Sequence, residues 1–309
     1  MIPTAQELAA YTLERQHPLT RQWVDDETRL ALLTNQHAEL DVLLAEDKSI
    51  AEARIARLAP GTPVDAMLNH WVAIGDDLHA MLSMRFEGMD VTKPFVDASP
   101  LSRPLESRDL PGLAGAAREV YQVHSPRHVR LWSSEPVDAF PGAQRDRRFL
   151  GAPLTDLRPH DVPAGLALVP ATGVDHYDEA VAAYAAVDED HPEHPGQASL
   201  ASQEDLQDSA DAGLLFDITM NGTWAGYSAA YTDSEDTLGV PSYVVRDVLL
   251  AKPFRGQGLG RHLAPLLAQS LPEQSHILLG AIHANNTGAR TAALTAGRQD
   301  VGGWLLQPL

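Results

Sequence analysis

One stretch constrains this chain more than any other. Tyr243 to Leu250 (YVVRDVLL) has the apolar, β-branched texture of a strand, and it runs straight into PFRGQGLGRHLAPLLAQSL, a glycine-rich turn that opens a helix. His276 to His283 (HILLGAIH) reads as the next strand and Asn286 to Ala296 as the next helix. Strand, glycine turn, helix and strand make a parallel crossover unit, expected to be right-handed, so the spacing predicts an α/β fold.

The turn itself carries the chemistry. In Arg255-Gly256-Gln257-Gly258-Leu259-Gly260 the glycines stand at alternate positions, which lets the backbone approach a ligand, and the free N–H groups of a helix N-terminus attract an anion. Lys252, Arg255 and Arg261 are three of only seven cations after residue 155, and they fall within ten residues. A phosphate-bearing ligand is expected there. A nucleoside-triphosphate loop would need Gly-Lys-Ser/Thr, whereas Gly260 is followed by Arg261 and His262. A dinucleotide fingerprint would need glycine at 261, where arginine stands.

Arg-x-x-Gly-x-Gly after a strand resembles the pyrophosphate loop of the GNAT acyltransferase superfamily. A second block agrees: Asn286-x-x-Ala289, then Gly297 eleven residues after the asparagine. The resemblance covers roughly Gly165 to Leu309 and implies a mixed sheet with flanking helices. It also implies an acyl-CoA donor, most simply acetyl-CoA, whose pantetheine arm enters a wedge between two splayed parallel strands. By this resemblance the amides from Gln257 to Arg261 would hold the pyrophosphate, and those of Leu249 and Leu250 would meet the pantetheine or acyl carbonyl. Asn286 would lie near the pantetheine or at a helix start. The implied activity is N-acyl transfer to an amine of a small molecule or peptide, which requires positioning, a proton acceptor and oxyanion stabilisation.

Two departures stand out. The tyrosine that often follows the asparagine by seven residues is Ala293 here, and the aromatic after the last glycine is Arg298. Pro265 inside the loop helix predicts a kink. Asp247, on the strand leading to the loop, and His283, at the end of the next strand, are the candidate catalytic bases, each with a plain reading as a structural hydrogen-bonding residue. Tyr227, Tyr231 and Tyr243 are candidates for the missing acid, or core residues of half-buried strands.

Ahead of the loop the second half reads well. Gly165 to Thr172 is strand-like, His176 to Val187 is helical with Tyr177, Val181 and Tyr184 on one stripe, and Leu214 to Met220 and Thr223 to Tyr231 flank Asn221-Gly222, a strong hairpin signal. The first half is helix-rich. Apolar residues recur from Thr28 to Leu58, a break follows at Pro60-Gly61-Thr62-Pro63, and a second amphipathic run covers Val64 to Met84. A strand at Leu101 to Leu105, a helix through Leu113, Ala117 and Tyr121, and a strand at Arg127 to Trp132 make the beginning of a degenerate copy of the same fold, without the glycine loop. His124, His128 and His160 read as separate surface or packing histidines. Proline- and glycine-rich connectors are expected over Pro136 to Gly142 and Gly151 to Pro163. The expected domains are an accessory region, 1–155, and an acyl-CoA-binding domain, 156–309.

Charge narrows the partners. With 23 Lys+Arg against 42 Asp+Glu the net charge is -19, which repels nucleic acid and anionic lipid and favours a cationic amine. Residues 156–309 hold 20 acids and 7 bases, against 22 and 16 before them. No run reaches the roughly 20 apolar residues of a membrane span, and the polar start MIPTAQELAAYTLERQ lacks signal-peptide features, so a cytoplasmic setting is expected. There is no cysteine, which leaves any metal to His and carboxylates. His191 and His194, in the acidic stretch Asp188 to Pro195, have a spacing met in metal sites, but the prolines prevent a helix from aligning them. No metal is expected, and the stretch reads as a solvated loop or a cation-attracting rim. Two other functions remain open: a non-catalytic acyl-CoA-binding or sensing module, which Ala293 allows, and a carrier-protein-dependent acyltransferase. The acceptor and the oligomeric state are left open.

Overall fold

A computed structural model describes residues 1–136, 138–190, 200–235 and 238–309. Residues 191–195 of the acidic stretch lie outside the described residues, as do the side chains of residues 188 and 190. The chain forms two compact units, the first of residues 1–146, 236–240 and 302–309 and the second of residues 147–235 and 241–301.

The elements of the first half are α1 (Ala5–Glu14), α2 (Asp26–His37), α3 (Leu43–Glu46), α4 (Lys48–Leu58), β1 (His70–Ile74), β2 (Leu78–Phe86), β3 (Pro94–Leu101), α5 (Leu110–Val120), β4 (His128–Ser133) and β5 (Gln144–Pro153). Those of the second half are β6 (Leu166–Pro170), α6 (Tyr177–Asp190), α7 (Gln203–Asp211), β7 (Leu215–Met220), β8 (Thr223–Glu235), β9 (Val240–Leu250), α8 (Gly260–Ser270), β10 (Ile277–His283), α9 (Thr287–Thr295) and β11 (Gln299–Pro308). No helix among the described residues is long and apolar enough to cross a membrane.

In the first unit the strand order is β1-β2-β3-β4-β11. The β1, β2 and β3 pairings are antiparallel, β3 and β4 run parallel, and β11 returns antiparallel to β4. Leu82, Met84, Val96, Leu113, Tyr121 and Leu131 fill its core. The run Val64 to Met84, expected as one amphipathic helix, is a 3-10 turn followed by the β1–β2 hairpin, with Gly75 at φ +63° in the turn. The reason is burial. Ala80 to Met84 are buried on both faces of the sheet, so the strand shows no period of two and imitates a helix. The strand expected at Leu101 to Leu105 lies earlier, as β3, and ends before Pro104, which cannot donate to a ladder. Hairpin, strand, helix and parallel strand therefore recur in both units, first as β1-β2, β3, α5 and β4, then as β7-β8, β9, α8 and β10.

In the second unit the order is β5-β10-β9-β8-β7-β6. β5 is antiparallel to β10, β10 parallel to β9, and β7 antiparallel to both β8 and β6. Gly151 to Pro153, expected in a connector, belong to β5, because their partners are Leu279 to Ile277, far away in sequence. Asn221 at φ +51° and Gly222 at φ +78° make the β7–β8 turn, as their sequence demands. Ala180 and Ala183 of α6 and Leu206 of α7 pack with Leu215, Tyr227 and Leu249. Ala264 and Leu267 of α8 and Ala296, just after α9, pack with Tyr243 and Leu278. Val181, placed on the buried stripe of α6 from its spacing, is 45% exposed, and the small residues Ala180 and Ala183 take its place. α8 runs unbroken through Pro265.

Candidate functional site

The pairing of β9 with β10 covers only Ser242–Ile277, Tyr243–Leu278 and Val244–Leu279. Beyond that point β9 continues to Leu250 and β10 to His283 without pairing to each other, so two parallel strands part company. The side chains of β9 change phase at the same place. Val245 packs in the cluster of α8, whereas Asp247, two residues on, bonds α6, and Leu249 packs in the cluster of α6 and α7. Alternation along an undistorted strand would keep all three on one face, so the backbone slips by one residue where its partner departs.

The apex of this wedge holds Arg298. It is 6% exposed, and its Nε and Nη2 donate to Leu150 O at 3.0 and 2.5 Å, with Nη2 also 3.2 Å from Gly280 O. Gly280 is required there, because a Cβ would stand 2.5 Å from the Arg298 guanidinium and 3.2 Å from Val245. Burial pushes the Arg298 pKa down to about 10, with no neighbouring carboxylate opposing it.

At the other end of β9 the glycine loop turns into α8. Gly256 at φ +71° and Gly258 at φ +75° adopt left-handed conformations, and each faces open space, with no atom within 4 Å of an added Cβ. Gly260 serves packing instead: its Cβ would lie 3.2 Å from Ala292 of α9. The N-cap residue Leu259 offers no side-chain cap and the first turn holds no acid. Among the described residues no backbone acceptor is taken by the N–H groups of residues 256–261, and the first such bond is His262 N to Leu259 O at 3.0 Å. A row of unused donors thus converges at a helix N-terminus, the arrangement that binds an oxyanion.

The cations divide their work. Arg255 turns inward, donating Nε to Leu250 O at 2.7 Å and Nη2 to Ala183 O at 2.6 Å, and so ties the loop to α6. Arg261 is exposed and donates only Nε, to His262 Nε2 at 3.1 Å. Burial first, then the Arg261 charge, holds the His262 pKa down, which keeps that nitrogen an acceptor. Gln257 donates to Pro253 O at 2.6 Å.

Asp247 is 4% exposed and both of its carboxylate oxygens are taken, one by the Tyr184 hydroxyl and the other by Ala201 N at 2.9 Å. Burial raises its pKa despite these two donors, and the same contact with burial raises that of Tyr184. His283 stands at the end of β10, and its Nδ1 accepts from Asn285 N at 3.2 Å. Asn286 is the N-cap of α9, accepting from Ala289 N at 3.0 Å. Leu249 is buried and Leu250 half-buried, on the part of β9 that β10 does not cover. Tyr227 and Tyr243 are core residues, with hydroxyls accepting from His176 N and Glu273 N. Ala293 is buried and offers no hydroxyl. Among the described residues no three His, Asp or Glu side chains cluster as metal ligands. Two members of the site escape a reading of the sequence. Tyr184 lies on the α6 stripe and looks like core, and nothing local marks Arg298 as a wedge residue rather than a surface cation.

The sequence model of the Acetyltransferase (GNAT) family matches residues 177–294. A search of curated proteins finds no match. Among solved structures, the chain is similar to a GCN5-related N-acetyltransferase from Kribbella flavida, 16% identical, over 86% of this chain and 97% of that one, with a TM-score of 0.43. It is similar to a GCN5-related N-acetyltransferase from Sphaerobacter thermophilus at 15% identity, over 87% and 91%, with a TM-score of 0.47. It is also similar to a tandem GNAT protein from the clavulanic acid biosynthesis pathway at 18% identity, over 91% and 94%, with a TM-score of 0.35. The glycine loop and the parted strands both lie within residues 177–294, the segment that the GNAT family model matches.

Proposed function

We propose that the chain is an acyl-CoA-dependent N-acyltransferase that moves an acetyl group from acetyl-CoA to an amine of a small molecule or peptide, with residues 156–309 as the donor-binding domain and residues 1–155 as an accessory region. One observation carries the reading: the uncapped N-terminus of α8, with Gly256 and Gly258 opening on free space beside it. The fit to a pyrophosphate is electrostatic and steric together. The N–H groups of Gln257 to Arg261 donate, the helix end supplies partial positive charge, and Arg261 has its Nη groups left to pair with a phosphate. Arg255 contributes by holding the loop in shape. The uncovered edge of β9 at Leu249 and Leu250 offers backbone groups to an amide-bearing arm in the manner of a missing strand.

The donor supplies an activated thioester. The chain's own residues then need to orient the amine, take its proton and return one to the departing sulfur. His283 is proposed for the last two of these tasks. In this role the ring takes the amine proton, and the imidazolium so formed returns it to the departing sulfur, a task for which the buried Ala293 offers no hydroxyl. Asp247, with both oxygens engaged, anchors α6 to β9 and reaches a substrate proton only by giving up Tyr184. The net charge of -19 supports a cationic acceptor and argues against nucleic-acid or anionic-membrane partners, and the cytoplasmic setting expected from the sequence is kept as part of this reading.

The buried alanine at 293 also favours a second reading, in which acyl-CoA is bound and not turned over. Thermal unfolding with acetyl-CoA, CoA and NAD tests the site. At about 100 times its dissociation constant a ligand adds roughly 2.7 kcal/mol. Stabilisation by acetyl-CoA and CoA but not NAD, lost in Gly258→Asp, is the expected result. Thiol release with a panel of amines then separates the transferase from the binding module, and stabilisation by none of the three rejects both.

A further inference from the structure

A second cationic site lies in the first unit, among residues that no part of the acyl-transfer reading uses. Between α4 and the end of β2 a groove of about 570 Å³ opens to solvent. That volume is within the range of small-molecule sites, about 300–1,000 Å³. Its apolar wall is Leu44, Ile50, Ala53, Leu58, Phe86 and Met89, and its polar lining is dominated by Arg54, Arg57 and Arg85.

The arginines are held in a particular way. Arg54 donates Nη1 to Met67 O at 2.7 Å and Nη2 to Met84 O at 2.8 Å, which fixes it between α4 and β2. Arg85 donates Nη1 to the same Met84 carbonyl at 3.2 Å. Two guanidinium groups are therefore clamped on one carbonyl oxygen. Arg57 follows Arg54 by one turn of α4, on the same side. None of the three pairs with a carboxylate among the described residues, and no carboxylate lines the groove, although the chain holds 42 acids and a net charge of -19. Burial, and then the charge of Arg85, push the Arg54 pKa down to about 10, the mark of cations packed without compensation. Arginine carries five N–H donors in a rigid fork suited to a carboxylate or phosphate. Arg85 has one of its five engaged, and Arg57 makes no hydrogen bond within the described protein.

We propose that this groove binds a small amphiphile, with an oxyanion head held by Arg85 and Arg57 beside the fixed Arg54, and an apolar tail laid along Ile50, Leu58, Phe86 and Met89. The clamped guanidiniums repel one another, and an anion between them relieves that repulsion. Met89, 53% exposed, and the neighbouring apolar wall are covered by the tail.

The test is isothermal titration of the full chain with decyl phosphate and decanoate below their critical micelle concentrations, with inorganic phosphate and decyl maltoside in parallel. One saturable site per chain is expected for the two anionic amphiphiles, with inorganic phosphate at least about tenfold weaker and decyl maltoside silent. Arg57→Gln and Arg85→Gln should each weaken decyl phosphate by about tenfold or more, the loss of a charge-assisted contact, with the unliganded melting point unchanged. Ile50→Glu should weaken it as well, by placing a carboxylate in the wall. The proposal is overturned if neither amphiphile saturates, if decyl maltoside binds equally, or if both arginine variants keep the parent affinity. Inorganic phosphate binding as tightly as decyl phosphate would remove the tail from the argument and overturn it as stated. Acetyl-CoA stabilisation, measured on the same variants, should not change, which keeps this site separable from the acyl-transfer reading.

Discussion

Gly226 links the fold of the second unit to its proposed donor site. It lies in β8 against the backbone of β9, and an added Cβ would stand 1.8 Å from Leu249 O and 2.8 Å from the same carbonyl carbon. Ordinary contact begins at 3.4 Å, so in Gly226→Ala the strands must separate by about 1.6 Å (3.4 less 1.8), straining the Ala251 N to Ala225 O bond of 2.8 Å. The obstacle is backbone and has no rotamer by which to escape. Overpacking of this kind, with one or two weakened ladder bonds, costs about 3 kcal/mol or more. At roughly 2–4 °C per kcal/mol the melting point should fall by about 6–12 °C. Gly222→Ala is the matched control. Its φ of +78° is equally unsuited to alanine, yet nothing lies within 4 Å, so only left-handed strain of about 1–2 kcal/mol is expected. Because the displaced atoms belong to Leu249 and Leu250, Gly226→Ala should also lose most of its stabilisation by acetyl-CoA, and Gly222→Ala should keep it. Scanning calorimetry with and without the ligand reads both effects. Equal falls in the two variants would refute the close-approach argument, and retained ligand stabilisation in Gly226→Ala would remove Leu249 and Leu250 from the donor site.

Three further outcomes are expected. Tyr184→Phe removes a donor from the buried Asp247 carboxylate and should cost about 1.5–3 kcal/mol at pH 7. The raised Asp247 pKa means its charged form is disfavoured on folding, so the stability belonging to the protonated form is lost as pH rises through the folded pKa, and the gap between variant and parent should narrow toward acid; denaturant unfolding at pH 7 and 4.5 reads it. Asp109 behaves in the opposite sense. Burial alone would raise its pKa, but the Arg103 bonds at 2.8 and 2.9 Å hold it below the ordinary value, so its contribution is complete above about pH 4 and lost as pH falls below. Asp109→Asn should therefore melt lower than the parent at pH 7 and converge with it near pH 2–3; a constant gap would exclude the ion pair as the cause. The same Arg103–Asp109 pair occupies the turn before α5, where the second unit has its glycine loop, and a carboxylate already stands at that helix start. Titration with CoA should accordingly give one site per chain, and two sites would contradict the reading.

The backbone features of the candidate site were legible because their signals are local. Gly256 and Gly258 declare a left-handed turn, Asn221-Gly222 a hairpin, and Asn286 a helix start, each through the conformational preferences of the residue itself. β1 and β2 were misread because strands buried on both faces lose their alternation, and β5 because its partner lies more than a hundred residues away. Arg255 shows the limit at a single residue. Its position in the loop suggested a phosphate contact, while its guanidinium is spent on the carbonyls of Leu250 and Ala183, and Arg261 is left with the open donors.

The residues by themselves determined the α/β class, the crossover unit and the left-handed glycine turn, since strand runs, glycine dihedrals and an uncapped helix end depend on neighbours in the chain. Only the tertiary structure decided where β9 parts from β10, that Arg298 fills the apex, and that Asp247 is bound on both oxygens. It also decided that the ends of the two halves are exchanged, β5 completing the second unit and residues 302–309 of β11 the first. These features arise from hydrogen bonds and burial between segments distant in sequence, and their free energy exists only once the chain has closed on itself.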